Sequence, residues 1–287
     1  MSNSPIPRQV SSVTALRAQI DEWRSSGARI GFVPTMGSLH EGHLSLIDAV
    51  KDHCDKSVVS IFVNPTQFAA HEDLDTYPRE TQSDLQKLAN RGCDLAYLPS
   101  AGEMYPEGFS TAISVGGVSE GLCGDSRPHF FGGVATVVSK LFNQCRPDVA
   151  AFGEKDYQQL LVVKRLVRDL DLNIEIIGVP TVREPDGLAM SSRNAYLSEA
   201  DREKAGALNR TIKSIAAALE AGSTADDAVK DGIDALERAG VADIDYLEVR
   251  DAETLAPVQG QARSSSRVFI AAKIGETRLI DNWPART

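Results

Sequence analysis

The sequence has 287 residues, of which 42% are hydrophobic and 24% are charged, a composition that is ordinary for a globular protein. This length allows a full α/β domain together with a smaller one. The net charge of −10 argues against nonspecific nucleic-acid binding, which needs a broad basic surface. No apolar run of about eighteen residues is present to span a membrane.

The N-terminus and the cysteines both favour a cytoplasmic protein. Residues 1–12 lack the charged-then-apolar pattern of a secretory signal, and we expect them to form a loose arm before the first helix. The cysteines are widely spaced, with no CxxC pair, at Cys54, Cys93, Cys123 and Cys145. This spacing predicts reduced, mostly buried thiols rather than disulfides or a metal site.

Apolar, β-branched segments alternate with amphipathic segments over the first 180 residues. The predicted helices cover residues 13–25, 44–53, 79–91, 135–145 and 157–169. The predicted strands cover residues 29–33, 57–63, 95–98, 149–152 and 174–179. Such alternation predicts a Rossmann-like α/β fold, with a doubly wound parallel sheet covered on both faces and right-handed crossovers.

The character of the sequence changes after Val182, so we expect two domains, 1–182 and 183–287. Predicted helices over 198–222 and 225–239 are followed by predicted strands over 244–250, 267–272 and 277–280. Gly275 fits a hairpin between the last two strands. The second domain is therefore predicted to be a smaller α+β lid domain.

The most informative segment is PTMGSLHEGH at residues 34–43, which leads from a predicted strand into a predicted helix. His40 and His43 lie three residues apart, in the first turn of that helix. A helix N-terminus has unpaired N–H groups and partial positive charge, so anions bind there. Two imidazoles on one face add donors aimed at the same point. The predicted ligand is a nucleotide phosphate.

Other interpretations of this segment are weaker. A zinc-protease helix needs H-E-x-x-H, whose histidines are a full turn apart, whereas the spacing here is H-x-x-H. A merely polar helix start, with Gly37 and Gly42 as turn and packing residues, is the ordinary alternative. The sequence contains neither G-x-x-x-x-G-K-[ST] nor G-x-G-x-x-G after a strand, so another device would have to hold the phosphates.

A second polar segment, GLAMSSR at 187–193, follows an acidic turn near the predicted domain boundary. Gly187 allows a close backbone approach, Ser191 and Ser192 supply hydroxyl donors, and Arg193 adds a fixed positive charge. A mobile loop of this kind would complement the charge that develops on a leaving group. Taken alone, it could equally be a polar linker.

Three motifs lie where predicted strands end: PTMGSLHEGH, VNPTQF (63–68) and FGEKD (152–156). In open α/β sheets ligands bind beyond the carboxyl ends of the strands, so we expect these motifs to converge. Lys155 lies between a strand end and a helix start. That position suits a phosphate contact, with a solvated lysine as the alternative.

The motifs together resemble a known family. HEGH at 40–43 and MSSR at 190–193 resemble the HIGH-type and KMSKS-type motifs of the nucleotidyltransferase superfamily, which includes class I aminoacyl-tRNA synthetases. IFVNPTQF (61–68), FGEKDYQQL (152–160) and DGLAMSSRN (186–194) resemble segments of the pantoate–β-alanine ligases, or pantothenate synthetases. The resemblance runs in order from about residue 29 to 199, and RLIDN (278–282) matches near the C-terminus.

The resemblance implies a two-step ligase reaction of pantothenate and coenzyme A biosynthesis. ATP and pantoate would first give pantoyl adenylate and pyrophosphate, and the amine of β-alanine would then release AMP and form pantothenate. His43 matches the family's proton donor, and His40 and Lys155 complete the implied catalytic group. For the histidines, transition-state stabilisation at the α-phosphate is favoured over general-acid work.

The resemblance also implies the binding residues. Gln67 matches a glutamine that binds pantoate near β-alanine, Gln159 matches a second pantoate glutamine, and Asn64 belongs to the same set. Asp84 resembles an aspartate close to Mg²⁺, with a plain surface aspartate as the alternative. The implied ATP contacts are Met36, Gly37, Ser38, Leu39, His40, Glu41, Gly42, His43, Gly153, Glu154, Lys155, Asp156, Val182, Met190, Ser191, Ser192 and Arg193.

One segment departs from the family's pattern R-P-x-H-F-x-G-V. The chain has RPHFFGGV at 127–134, so His129 comes one residue early and a phenylalanine stands in the usual place. His129 therefore receives no role, and Arg127 is expected to face pantoate or β-alanine. His53 and His71 are predicted to be surface residues.

Three other functions fit the sequence less well than the ligase. A nucleotidyltransferase that moves AMP or CMP onto a phosphate-bearing cofactor precursor would need a basic pocket at Gln67 and Gln159, where neutral amides suit a hydroxy acid better. A tRNA synthetase is disfavoured by the chain length and the acidic C-terminal half. A regulator without catalysis would have lost a polar motif member, yet all are present.

The resemblance also implies a homodimer joined through the first domain.

Overall fold

The chain folds into two compact units. The structure, a computed structural model, describes residues 5–69, 72, 74–262 and 265–285. The chain divides into two compact units: a larger one of Met1–Glu154 with Gln159–Pro180, and a smaller one of Lys155–Gln158 with Thr181–Thr287. Each unit is described separately below.

In the larger unit, six strands of the described chain form one parallel sheet in the order β1-β4-β3-β2-β5-β6. The strands are β1 (Arg8–Val10), β2 (Ile30–Thr35), β3 (Lys56–Ile61), β4 (Leu95–Tyr97), β5 (Val149–Gly153) and β6 (Glu175–Val179). The helices are α1 (Val13–Ser25), α2 (Glu41–Lys51), α3 (Thr81–Asn90), α4 (Ala101–Met104), α5 (Cys123–Ser126), α6 (Phe130–Cys145) and α7 (Tyr157–Asp169). The predicted Rossmann-like sheet is confirmed.

The strand order reverses between β2 and β5, which are neighbours in the sheet. Ligands of open α/β sheets bind at such a switch point, beyond the carboxyl ends of the strands. PTMGSLHEGH, VNPTQF and GEKD leave β2, β3 and β5 respectively, and these are the three adjacent central strands. The three motifs therefore start at the same edge of the sheet, and their convergence on one ligand stays a prediction.

Several element boundaries differ from the sequence prediction. The N-terminal arm is not loose throughout, because Arg8–Val10 pairs with β4 and buries Val10 at the sheet edge. So short a strand, with one buried residue, leaves no alternating pattern to detect. Helix α6 begins at Phe130, five residues before the predicted start. Gly132 and Gly133 lie inside its first turns, and glycines are poor helix formers, so the sequence predicts a later start. Helices α1 and α7 match their predictions.

The smaller unit packs two helices on an antiparallel sheet of order β7-β8-β9. Its elements are α8 (Glu199–Glu220), α9 (Ala225–Arg238), β7 (Asp243–Asp251), β8 (Ser266–Ile274) and β9 (Thr277–Ala285). Leu208, Ile212 and Ile270 lie at the centre of its core and are fully or almost fully buried. Gly275 has φ +57° in the turn between β8 and β9, as a hairpin glycine requires. The predicted α+β character is confirmed.

The chain leaves the larger unit at Glu154 and returns to it at Gln159, before passing to the smaller unit again at Thr181. A single boundary after residue 182 does not anticipate the short excursion Lys155–Gln158. Its side chains and backbone bond to the three-stranded sheet, as described below.

Among the described residues no disulfide joins the cysteines, and Cys93, Cys123 and Cys145 are buried. Burial raises the pKa of the Cys93 thiol to about 11 and also raises the pKa of Cys54. The prediction of mostly buried thiols is confirmed. In the described residues, no helix combines the length and the apolar character that crossing a membrane requires.

Candidate active site

His40 and His43 stand at the start of α2, just beyond the end of β2. His40 is the N-cap residue of α2, and its Nδ1 accepts the Gly42 N–H at 3.1 Å. The Nδ1 of His43 accepts the His40 N–H at 3.3 Å, and the ring centres are 4.1 Å apart. A ring nitrogen that accepts a backbone N–H carries no proton, so each neutral imidazole has its proton on Nε2. The predicted histidine pair at a helix N-terminus is confirmed, and its donor atoms are defined.

The loop before the histidines contains two consecutive residues with left-handed backbone. Gly37 has φ +85° and Ser38 has φ +50°, a conformation that a serine seldom adopts. Strained backbone of this kind persists only where the surroundings hold it. Here the N–H groups of Ser38 and Leu39 both donate to the carboxylate of Asp84, each at 2.8 Å.

Asp84, in the first turn of α3, is therefore the group that holds this loop. Its side chain is only 1% exposed, and Lys87 lies 3.9 Å away while donating to the Leu39 carbonyl at 2.7 Å. Burial raises the pKa of Asp84, and this effect outweighs the two N–H bonds that lower it. The surface-aspartate alternative is wrong, because the side chain is buried. The magnesium role stays a prediction.

Gln67 follows β3 in a 3-10 turn, Pro65–Gln67, and a buried asparagine fixes its side chain. Its Oε1 accepts the Asn64 Nδ2 at 3.0 Å, and its Nε2 lies 3.1 Å from the Met36 sulfur. Asn64 is 1% exposed, and its Oδ1 accepts the Tyr105 hydroxyl at 2.7 Å. These contacts bring the predicted residues Gln67 and Met36 together, and they suit Asn64 to orienting Gln67.

Arg127 binds the Gln67 segment from the other side. Its Nε and Nη2 donate to the Glu72 carboxylate at 2.6 and 2.7 Å, and Nη2 also donates to the Gln67 carbonyl at 3.1 Å. The guanidinium stacks 3.8 Å above the ring of Phe130, the residue in the family's histidine position. Because Glu72 matches the charge of Arg127, the surroundings of Gln67 are not the basic pocket that a phosphate-bearing acceptor would need.

The remaining histidines of the sequence are His53, His71 and His129. His129 precedes α6 and makes no side-chain cap bond there. The side chain of His53 is 45% exposed, as predicted for a surface residue. His71 lies outside the described residues.

The GEKD motif joins β5 to α7 through a 3-10 turn, Glu154–Asp156. The Lys155 ammonium lies 3.8 Å from the Asp156 carboxylate, and its side chain is 21% exposed. Gln158 is buried, and Gln159 beside it is half-buried. Lys155 is thus partly accessible on a short turn, whereas a solvated surface lysine would be more exposed.

The second predicted ATP-binding segment lies on a hairpin of the smaller unit. The Met190 N–H donates to the Val182 carbonyl at 3.0 Å, which brings two predicted ATP contacts together. Gly187 makes the turn with φ +93°, and a Cβ there would lie 2.7 Å from Asn209 Oδ1. Ser191 caps the following 3-10 turn, Ser192–Tyr196, by accepting the Arg193 N–H at 3.2 Å. A nucleotide shared by this segment and the histidines stays a prediction.

Sequence reasoning missed the residues that place these segments. The sequence offers Asp84 as an aspartate close to Mg²⁺ or as a plain surface residue, and Gly133 as part of a motif that departs from the family's pattern. Asp281 and Asn282 were quoted only as the end of RLIDN. Contacts between positions far apart in the chain give these residues their roles, and no local pattern signals such contacts.

Comparisons with known proteins show which family the chain belongs to. The family model for pantoate-beta-alanine ligase matches residues 8–284. A pantothenate synthetase of Mesorhizobium japonicum is 58% identical over 276 residues, covering 96% of this chain and 97% of that protein.

Solved structures give the same result. The chain superposes on a pantothenate synthetase from Thermus thermophilus with a TM-score of 0.92 and 44% identity, covering 98% and 100% of the two chains. A pantoate-beta-alanine ligase from Francisella tularensis, complexed with beta-gamma ATP and β-alanine, matches with a TM-score of 0.82 and 34% identity over 98% of each chain. This chain is therefore an enzyme that belongs to the pantoate–β-alanine ligase family.

Proposed function

We propose that this chain joins pantoate to β-alanine in two steps at the switch point of its parallel sheet. A carboxylate oxygen of pantoate attacks the α-phosphorus of ATP, and pyrophosphate leaves. The amine of β-alanine then attacks the acyl carbon of pantoyl adenylate, AMP leaves with the bridging oxygen, and the amine loses a proton. The observation that carries the proposal is the pair of histidines at a helix N-terminus, each of which accepts a backbone N–H at Nδ1.

His40 and His43 act in the first step. With Nδ1 occupied by a backbone N–H, each ring presents Nε2–H as a donor. Donors preorganised toward the α-phosphate stabilise the charge that grows as pyrophosphate departs, without reorganising during the reaction. The partial positive charge at the start of α2 acts in the same direction. This geometry favours transition-state stabilisation over proton transfer, and His43 is the residue assigned to the α-phosphate.

Gln67 and Gln159 bind pantoate, with Asn64 acting through Gln67. A carboxamide both donates and accepts hydrogen bonds, which suits a hydroxy acid. Asn64 Nδ2 donates to Gln67 Oε1, and this hydrogen bond fixes the orientation of the Gln67 amide. The balanced Arg127–Glu72 pair keeps the surroundings near neutral, so a small, singly charged acid suits this position better than a phosphorylated acceptor.

The triphosphate is held by three segments, the loop at 36–43, the turn at 153–156 and the residues Val182, Met190, Ser191, Ser192 and Arg193. Lys155 and Arg193 supply the positive charge, and backbone N–H groups supply further donors. Binding of ATP and β-alanine is supported by the Francisella relative, which is complexed with a related nucleotide and with β-alanine. The larger unit is assigned nucleotide and pantoate binding, and the smaller unit is assigned the role of a lid.

Mg²⁺ belongs to the proposal as a companion of ATP. Among the described residues, no group of three or more His, Cys, Asp or Glu side chains is placed to hold a metal ion. Mg²⁺ takes one or two carboxylates and keeps several waters. Asp84 is the candidate ligand, since each carboxylate oxygen that accepts an N–H retains a second lone pair. Bound there, Mg²⁺ would offset charge on the β- and γ-phosphates.

The assembly and location are proposed as well. We assign a homodimer joined through the larger unit, whose β6 is an edge strand. Partly exposed Ile174 and Ile176 lie along that edge, and Leu170 beside it is 52% exposed. An edge of this kind is a template for pairing with another chain. Cysteines that are widely spaced and form no disulfide favour the cytoplasm, where thiols stay reduced.

The direct test is pyrophosphate release from ATP in the presence of Mg²⁺. Release should require pantoate but not β-alanine, and pantothenate should form only when β-alanine is added. Oxygen-18 in the pantoate carboxylate should appear in AMP after the second step. Absence of pantoate-dependent pyrophosphate release would remove the ligase assignment, and label remaining wholly in pantothenate would remove the adenylate route.

A further inference from the structure

The last two residues of the RLIDN motif, Asp281 and Asn282, have no role in the proposed reaction, yet they are buried in β9. Each is only 3% exposed. Buried polar side chains cost free energy unless they are hydrogen-bonded, so the partners of these two indicate what the motif holds. Their partners lie on the two ATP-binding segments of the smaller unit.

Asp281 holds the hairpin through an arginine. Its carboxylate accepts Arg183 Nη1 at 2.7 Å and Nη2 at 3.0 Å, a bidentate pair. Arg183 Nη1 also donates to the Gly187 carbonyl at 3.0 Å, at the turn of the hairpin. Asp281 thus fixes the hairpin from which Met190–Arg193 extends.

Asn282 holds the Lys155 turn directly. Its Nδ2 donates to the Lys155 carbonyl at 2.9 Å, and its Oδ1 accepts a bond from Arg267. The Arg267 guanidinium lies 3.7 Å from the ring centre of Tyr157, two residues after Lys155. The excursion Lys155–Gln158 is therefore fixed to the sheet through both its backbone and a side chain.

We propose that Asp281 and Asn282 are positioning residues that set the Lys155 turn and the Val182–Arg193 hairpin in one fixed arrangement for the triphosphate. Because they are consecutive in one strand, the spacing of the two segments is set by the backbone of β9. Neither residue touches the nucleotide. The inference rests on the proposed ATP roles of Lys155 and Arg193, and it adds residues that place them.

The experiment measures ATP binding by calorimetry, with Mg²⁺ and without pantoate, so that no reaction occurs. Asn282→Asp keeps the acceptor for Arg267 but loses the donor to the Lys155 carbonyl, and Asn282→Ala loses both. Arg278→Ala is the matched control, because Arg278 lies in the same motif and pairs with Asp245 at the surface. Thermal unfolding shows that each variant is folded. If Asn282→Ala does not fold, Asn282→Asp carries the test.

We expect both Asn282 variants to weaken ATP binding about fivefold to tenfold, as for one lost hydrogen bond, and Arg278→Ala to leave it unchanged. In a Lys155→Ala background, Asn282→Asp should cause no further loss, because its effect passes through Lys155. Pantoate binding should not change.

The inference is overturned if Asn282→Asp binds ATP like the parent chain, or if its effect multiplies with that of Lys155→Ala. These outcomes are separate from failure of the proposed function. ATP titration tests the positioning residues, whereas pyrophosphate release with pantoate tests the ligase reaction.

Discussion

The segments that resemble the HIGH-type and KMSKS-type motifs are each held by one buried carboxylate. The two carboxylates hold their segments in different ways. Asp84 accepts two backbone N–H groups from the histidine loop, and the nearest cation, Lys87, is 3.9 Å away. Asp281 instead forms a bidentate pair with Arg183, and the arginine holds the hairpin. The side chains of both aspartates are 1% exposed.

The difference shows how each segment responds to the loss of its carboxylate. Neutral donors stabilise Asp84 only partly, so burial raises its pKa. The Asp281 carboxylate is matched by a full positive charge, so its removal would leave a buried cation unpaired. Removing one partner of a buried pair is far more damaging than removing a hydrogen-bond acceptor.

The largest effect is therefore expected from Asp281→Asn. The variant should lose about 3–5 kcal/mol of unfolding free energy in the smaller unit, because Arg183 stays buried without its counter-charge. Urea denaturation, followed by the fluorescence of Trp283 in β9, measures the loss. Arg183→Met with Asp281→Leu should recover much of it, since an apolar pair leaves no buried charge. A loss below about 1 kcal/mol in Asp281→Asn would contradict the difference drawn between the two aspartates.

His43→Ala tests the chemistry of the loop that Asp84 holds. We expect turnover to fall by about 10²-fold or more, the usual result of removing one preorganised donor, with folding unchanged. His53→Ala is the control, since His53 is an exposed histidine on the segment after α2. Steady-state pyrophosphate release measures both. Activity of His43→Ala within a few-fold of the parent would show that His43 is not at the α-phosphate.

The sequence predicted the features that depend on neighbouring residues, and it did not predict the roles that depend on contacts between distant residues. The parallel sheet and the helix start at His40 were predictable because period and helix-start chemistry are local. The roles of Asp84 and Asn282 were not predictable. Asp84 bonds to residues 38 and 39, and Asn282 bonds to residue 155, so both roles depend on contacts between distant parts of the chain. Likewise, the spacing of residues in RPHFFGGV does not show that Phe130 stacks on Arg127. Nor does it show that Gly133 of α6 lies against the turn that follows β3.

A third segment, the Gln67 turn, extends the comparison because its backbone also lies in close contact with a glycine of α6. A Cβ on Gly133 would lie 2.4 Å from the Thr66 carbonyl oxygen, whereas one on Gly132 would meet nothing closer than 3.8 Å. Gly133→Ala should therefore shift the turn at a cost of about 1–3 kcal/mol and weaken pantoate binding about tenfold. Gly132→Ala is the matched control in the same helix.

Calorimetry with pantoate measures the effect of each glycine substitution. Gly133→Ala should resemble Gln67→Ala in this assay, and ATP binding should be nearly unchanged in both. Equal pantoate affinities in Gly132→Ala and Gly133→Ala would mean that α6 does not set the position of Gln67.

Asp84→Asn should have the smallest effect and decides between the two roles of this residue. The amide retains one acceptor but turns an NH₂ group toward a backbone N–H, so the loop should loosen. We expect the KM for ATP to rise about fivefold, equivalent to about 1 kcal/mol. The Mg²⁺ concentration for half-maximal activity should stay the same if Asp84 positions the loop. A rise in that concentration, with ATP affinity unchanged at saturating Mg²⁺, would make Asp84 a metal ligand instead.

The pH dependence of stability gives Asp84→Asn a second readout. Because the pKa of Asp84 is raised above its ordinary value of 3.8, the folded chain binds this proton more tightly than the unfolded chain does. The parent should therefore gain stability relative to Asp84→Asn as the pH falls through the raised pKa, and the gain should be complete below 3.8. Urea midpoints of the two proteins across this range measure it. A gap that narrows on acidification would mean that the N–H bonds outweigh burial, and that Asp84 resembles Asp281 in having its charge fully matched.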